Sequence, residues 1–194
     1  MTSRYDQFRD IIAAHKPTTI VEIGVHEGRR AVFMVREALR HVARVDYFGF
    51  DVFETLGPEF QEAALNGKGM AYEHVARDAL TREERTHGAS RFGWTLTVGD
   101  TRTTLAARNV VADLVFIDGD HRLDAIRSDY EAVKGSRVVV FDDYYQPDAR
   151  GAMPDVALYG ANRVVDLIEG ATILPVGDPT KHGGRAHLAV VVRR

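Results

Sequence analysis

The chain has 194 residues, 45% of them apolar and 27% charged, with a formal charge of -3 and no cysteine. That length suits one domain with a sizeable core, and the ordinary composition excludes a disordered, collagenous or disulfide-built chain. The small negative charge gives no reason to expect nucleic acid as a partner, the lack of cysteine excludes thiolate metal sites and cysteine nucleophiles, and the absence of a signal-like or membrane-length apolar run predicts a soluble, cytoplasmic protein with no membrane partner.

Ser3 to His15 places Tyr5, Phe8, Ile11 and Ile12 at three- and four-residue intervals, which predicts an amphipathic N-terminal helix within 1–16, closed by Lys16-Pro17. TTIVEIG, 18–24, is β-branched and apolar, as a strand buried on both faces must be. A helix follows from about Gly28 to His41, and VDYFGFDVF, 45–53, is the second strand. Residues 54–90 are polar, with helix formers in FQEAAL and YEHVARDALTREE. WTLTVGD, 94–100, is a third strand, TLAARNV a short helical piece, and ADLVFID, 112–118, a fourth strand. HRLDAIRSDYEAVKG spaces Leu123, Ile126, Tyr130 and Val133 as a helix does, with Gly135 as its stop. SRVVVFDDY, 136–144, is a fifth strand; a loop to about 158 and a helix in ANRVVDLIEG follow. TILPVGD and AHLAVVVRR close the chain as strands around PTKHGG.

Strands alternating with helices predict an α/β fold, a Rossmann-like doubly wound sheet with helices on both faces and right-handed crossovers. The last two strands have no helix between them, so the mostly parallel sheet should end in an antiparallel hairpin. A single domain over 1–194 is expected, with 54–90 and 144–160 as substrate or lid segments.

Ligands of such sheets bind beyond the carboxyl ends of the strands. The first strand ends in VEIGVHEGRRA, with Glu22, Gly24 and Gly28. Glycines there allow positive φ and close approach, and the next helix offers its positive N-terminus. The pattern is G-x-x-x-G after an acid, and His26 stands where a dinucleotide fingerprint needs its second glycine, which disfavours a pyrophosphate cofactor. Asp51, ending the second strand, is placed to accept hydrogen bonds from ribose hydroxyls. An adenosine-like ligand without a pyrophosphate fits both observations.

On these residues the chain resembles the class I S-adenosylmethionine-dependent methyltransferases, whose E/D-x-G-x-x-x-G loop matches Glu22, Gly24 and Gly28. The resemblance spans nearly the whole chain, closing hairpin included. It implies S-adenosyl-L-methionine as cofactor, with Asp51 on the ribose and Gly99, Asp100 and Thr101 bordering the adenine. Arg30, just inside the following helix, is placed for a bidentate contact with the cofactor's carboxylate, an exposed arginine being the equal alternative.

The fourth strand runs into VFIDGDHRLDAIRSDY, where Asp118, Gly119, Asp120 and His121 follow directly on apolar residues, and the fifth ends in Asp142 and Asp143. Asp118 should emerge near the reactive end of the cofactor. Carboxylates at adjacent strand ends repel one another unless something positive sits among them, and a hard divalent cation would serve. Here the chain is similar to the metal-dependent O-methyltransferases of catechol and macrolide-sugar types. That likeness implies Asp118, Asp142 and Asp143 as ligands of a metal, Mg2+ by preference, and His121 as the catalytic base. Asp120 and His121 also suit the start of a helix, Asp120 the better of the two.

A small hydroxylated acceptor, whether sugar, phenol or natural-product intermediate, is the expected partner, with Tyr144, Tyr145, Arg150 and His182 near it; a homo-oligomer stays open. The competing readings are a metal-independent N- or carboxyl-methyltransferase and a non-catalytic or dehydrogenase-like protein holding an adenosine ligand.

Overall fold

The computed structural model describes residues 3–55, 70–105, 108, 110–157 and 159–193. The FQEAAL segment and part of TLAARNV lie outside these residues. A 3-10 turn, Arg4–Gln7, leads into α1 (Phe8–His15), followed by β1 (Thr19–Ile23), α2 (Arg29–Ala38) and β2 (Val45–Asp51). Then come α3 (Glu73–His87), β3 (Phe92–Val98), a short α4 (Thr101–Thr104), β4 (Leu114–Ile117) and α5 (Leu123–Val133). The chain closes with β5 (Val138–Gln146), a short α6 (Asn162–Val165), β6 (Thr172–Pro179) and β7 (Arg185–Val192).

The strands form one seven-stranded sheet in the order β3-β2-β1-β4-β5-β7-β6. β1 pairs in parallel with both β2 and β4, and β4 with β5, while β7 runs antiparallel to both β5 and β6. The strand order reverses at β1 and β4, which opens a crevice above their carboxyl ends. The expected doubly wound sheet and its closing hairpin are both present.

Both faces are covered, and the central strands alternate between them with period two. In β5, Val138 and Val140 pack into the layer of Phe8, Met34 and Leu80, whereas Val139 and Phe141 pack against Ile126, Tyr130 and Val165. Each such side chain, fully buried, contributes about 1.5–3 kcal/mol. Phe8 meets Phe116 edge-on with ring centroids 4.9 Å apart, which seats α1 over β4.

Three departures from the sequence reading shape the site. The N-terminal helix begins as a separate 3-10 turn, because Ser3 and Asp6 form a capping box at Arg4–Gln7. α2 starts at Arg29, since Gly28 is left-handed at φ 77° and serves as its N-cap. β5 extends to Gln146 because β7 pairs with it beyond a bulge, Tyr144 opposite His187 and Tyr145 opposite Ala186. Within that bulge Asp143 takes φ 53°, a left-handed conformation unusual for a residue with a Cβ.

Candidate active site

At the end of β1 the backbone passes close to the end of β4. Gly24 has φ 90°, and a Cβ there would lie 2.1 Å from the Asp118 carbonyl oxygen, so no other residue fits. The loop beyond it is tied to β2 by Asp51: its Oδ2 accepts the His26 N–H at 2.7 Å and its Oδ1 the Phe53 N–H at 2.8 Å. Both donors have positive φ, 52° and 45°. Asp51 is thus a clamp on the glycine loop as well as a lining residue of the crevice.

Glu22 is completely buried beneath this loop. The Tyr47 hydroxyl donates to Oε2, while Oε1 is buried without a hydrogen-bond partner among the described residues. Burial pushes this carboxyl up to about 8, against the opposing pull of Tyr47. Glu22, Gly24, His26, Arg30 and Asp118 line one part of the crevice. Arg30 lies with its guanidinium 3.4 Å from the centre of the Tyr5 ring, a cation–π contact that fixes it at the edge of that space.

The adjoining part of the crevice is lined by Phe50, Asp51, Val52, Asp100, Thr101 and Gly119. Asp100 caps α4 by accepting the Arg102 N–H, and its carboxylate pairs with the Arg102 guanidinium, which holds it below the usual carboxylate range. Gly99 precedes it at φ 133°. Behind this wall Asp129 of α5 is 1% exposed, and burial pushes it up to about 7. The sequence reading passed over Asp129, although its place between Ile126 and Tyr130 on the inward face of α5 was visible.

After β4 the two neighbours Asp120 and His121 part company. Asp120 accepts the Arg122 N–H at 3.0 Å and pairs with its guanidinium, a local turn at the start of α5. His121 turns inward, 5% exposed, with Nδ1 2.9 Å from Asp143 Oδ2. With Asp118 and Asp142 it lines a small cavity. With Arg4, Asp143, Tyr145, Lys181 and His182 it lines a larger open pocket next door. Tyr145 therefore faces that pocket, whereas the Tyr144 hydroxyl donates to Asp166 at 2.9 Å, away from it. Arg150 is exposed.

Asp142 and Asp143 are held by a residue that the sequence reading did not single out. Asp142 Oδ1 accepts Arg4 Nε at 2.8 Å and the Asp143 N–H at 2.9 Å; Oδ2 accepts Arg4 Nη2 at 3.0 Å and the Tyr5 hydroxyl at 2.6 Å. A carboxylate has about four acceptor sites, so Asp142 is fully subscribed. Asp143 Oδ1 accepts Arg4 Nη2 at 3.2 Å, with its other oxygen on His121. Two of the acids that were expected to ligate a metal, Asp142 and Asp143, are gathered instead around a guanidinium, while Asp118 lines both the space beside Glu22 and Arg30 and the small cavity at His121. Among the described residues no group of three or more His, Asp or Glu side chains is arranged to hold a metal ion. No sequence signal marked Arg4, because its contacts are made 138 and 139 residues away.

Comparison with known proteins agrees with this fold. A family described as a methyltransferase domain matches residues 21–144, more than half of the chain, and the chain belongs to that family. Its fold is that of the class I S-adenosylmethionine-dependent methyltransferases. An O-methyltransferase from Bacillus cereus in complex with SAH is similar, with 15% identity, 98% of this chain and 80% of that one covered, and a TM-score of 0.61. TomG of Streptomyces achromogenes, an O-methyltransferase involved in tomaymycin synthesis and solved with SAM, gives 17%, 97%, 79% and 0.59 in the same order. The N-terminal domain of EvdMO1, crystallised in the presence of SAH and D-fucose, gives 15%, 100%, 84% and 0.57. No curated protein sequence matches the chain. Among the described residues no helix is long and apolar enough to cross a membrane.

Proposed function

We propose that the chain is an S-adenosylmethionine-dependent O-methyltransferase acting on a hydroxyl of a small molecule, a sugar, phenol or natural-product intermediate, with His121 as general base. The observation that carries this reading is the position of His121, which lines both the cavity on the Asp118 side and the open pocket opposite, with Nδ1 held by Asp143. The O-methyltransferases among its structural neighbours support the reaction class.

The charges lining the crevice support this cofactor. S-adenosylmethionine supplies a methyl group on a positively charged sulfur. The unpartnered Glu22 oxygen suits the α-ammonium group at the cofactor's methionyl end, and Arg30 its carboxylate. Asp118 adds negative potential where the sulfonium would lie. Gly24 and Gly28 give the loop its close approach, Asp51 keeps lone pairs for the ribose hydroxyls, and Gly99, Asp100 and Thr101 border the base.

On the acceptor side, Asp143 accepting the Nδ1 proton fixes the tautomer in which Nε2 is basic. That nitrogen takes the hydroxyl proton as the oxygen attacks the methyl carbon. A new C–O bond forms, the C–S bond breaks with its electron pair passing to sulfur, and the proton rests on an imidazolium stabilised by Asp143. Holding both reactants in line contributes much of the acceleration. The divalent metal implied by the resemblance does not fit the residues as arranged, because all four acceptor sites of Asp142 and both oxygens of Asp143 are engaged. No step is routed through it.

Calorimetry tests the cofactor: S-adenosylhomocysteine should bind and NAD should not. Methyl-labelled S-adenosylmethionine with a panel of small alcohols, phenols, amines and carboxylic acids tests the acceptor. Labelling confined to amines or acids would overturn O-methylation, and binding of NAD alone would overturn the class.

A further inference from the structure

The carboxylates beside His121 pose an electrostatic problem that this chain solves with its own N-terminal turn. We propose that Arg4 is the resident cation of the site, a positioning residue that takes the place of a divalent metal among Asp142 and Asp143 and so fixes the His121–Asp143 pair for metal-free methyl transfer. The inference rests on His121 being the base.

Four features support it. First, the guanidinium meets three carboxylates: Asp142 in a bidentate pair, Asp143 at 3.2 Å and Asp178 at 3.4 Å. Such fork geometry is what guanidinium offers and a lysine does not. Second, Arg4 is well sheltered, with its side chain 13% exposed and that of Asp142 1%. Burial alone would lower its affinity for a proton, but Asp142 and Asp143 more than restore it, so the charge is permanent. Third, the turn that carries Arg4 is anchored independently. Asp178 accepts the Arg4 N–H at 3.2 Å and the Ser3 hydroxyl at 3.1 Å; Gln7 makes two bonds to the Val176 backbone at 2.9 and 3.0 Å; and Phe8, next in the chain, is fully buried. Fourth, the hydrogen bonds continue in one line from Asp142 through Arg4 to Asp143 and His121.

The consequence is specific. Oxygen ligands of a hard dication stand 2.0–2.6 Å from it, and on Asp142 those directions are filled by N–H and O–H donors. A dication would have to expel Arg4 and break the anchors around it. Tyr5, whose hydroxyl donates to Asp142, also carries Arg30 on its ring, so the same turn sets a residue on the cofactor side.

The test begins with metal binding, which needs no acceptor and therefore stands apart from the O-methylation reading. Mn2+ titrated into the full chain and followed by electron paramagnetic resonance should keep its free-ion signal. Uptake of one Mn2+ that is lost in D142N would overturn the proposal. Once an acceptor is found, wild-type turnover should survive EDTA and desalting undiminished; loss with recovery on adding Mg2+ would overturn it. R4A should lower turnover by roughly 10- to 100-fold, the scale of a misplaced catalytic group, and added methylguanidine should restore part of it, which a merely structural role would not allow. A folded R4A as active as wild type would also overturn it. Should R4A fail to fold, R4K takes its place: it keeps the charge without the fork, and full activity in it would contradict the positioning role.

Discussion

Two strands of this sheet, β1 and β5, bury acids, and they treat them in opposite ways. At the end of β1, Glu22 is sealed beneath the glycine loop with one oxygen on Tyr47 and the other lacking a donor among the described residues. At the bulge within β5, Asp142 is sealed almost as deeply but surrounded by four donors, two of them from a guanidinium. Burial raises the proton affinity of Glu22 because the single hydrogen bond from Tyr47 offsets only part of the lost hydration. An acid left short of partners is a place prepared for a ligand, while an acid already satisfied is part of the scaffold. On the proposed reading, this difference puts the cofactor at β1 and makes β5 the support of the base.

The predictions probe that contrast, beginning with the group that the β5 acids support. His121→Ala should lower turnover by roughly 10²- to 10⁴-fold, the usual contribution of a general base, while S-adenosylhomocysteine affinity stays unchanged by calorimetry. An equal loss of affinity would make His121 a binding residue.

The two acids should respond with opposite signs to removal. Asp142→Ala leaves Arg4 buried and half-paired and should destabilise the fold by about 3–5 kcal/mol, as breaking one side of a buried ion pair does. Glu22→Gln keeps an acceptor for Tyr47 and removes a buried charge, so the unliganded protein should be more stable than wild type at pH 8. The same variant should bind S-adenosylhomocysteine roughly 10- to 100-fold more weakly, the worth of one charge-assisted hydrogen bond. Urea unfolding and calorimetry measure the pair, and equal stability losses in both variants would erase the contrast.

The last contrast is in the pH dependence. Glu22 titrates at about 8 in the fold against 4.5 ordinarily. Between these values the folded chain holds a proton that the unfolded chain has released, so stability from this group is present at low pH. It is lost as pH rises through the window, by at most about 1.4 kcal/mol per unit. Binding of a cationic group at Glu22 should expel that proton. At pH 7, calorimetry in buffers of different ionisation enthalpy should show net proton release on S-adenosylhomocysteine binding, and Glu22→Gln should abolish it. No release in wild type would place the ammonium elsewhere.

Legibility in the sequence followed the range of the interactions. The sheet was readable because the continuous apolar runs of β1, β4 and β5 must be buried on both faces, and the glycine loop because Gly24 needs a conformation that other residues avoid. Helix ends were less so: α6 stops at Val165, where the pattern of ANRVVDLIEG promised more. Its Asn162 is tied to both backbone groups of Tyr145, a contact with β5 that no local pattern encodes. The membership of Asp118, His121, Asp142 and Asp143 in one neighbourhood was legible from strand order. The identity of their counter-charge was not.

The sequence by itself determined that acids would crowd at the ends of β4 and β5, since apolar strands ending in carboxylates admit few arrangements. It also pointed to a positive charge among them, since a cation is one way to relieve Coulomb repulsion in a sheltered site. Only the tertiary structure decided which charge that is. The bulge at Asp143 and the anchored turn at Ser3–Gln7 bring Arg4 across the top of β5, and contact between residues so far apart in the chain depends on how the elements pack.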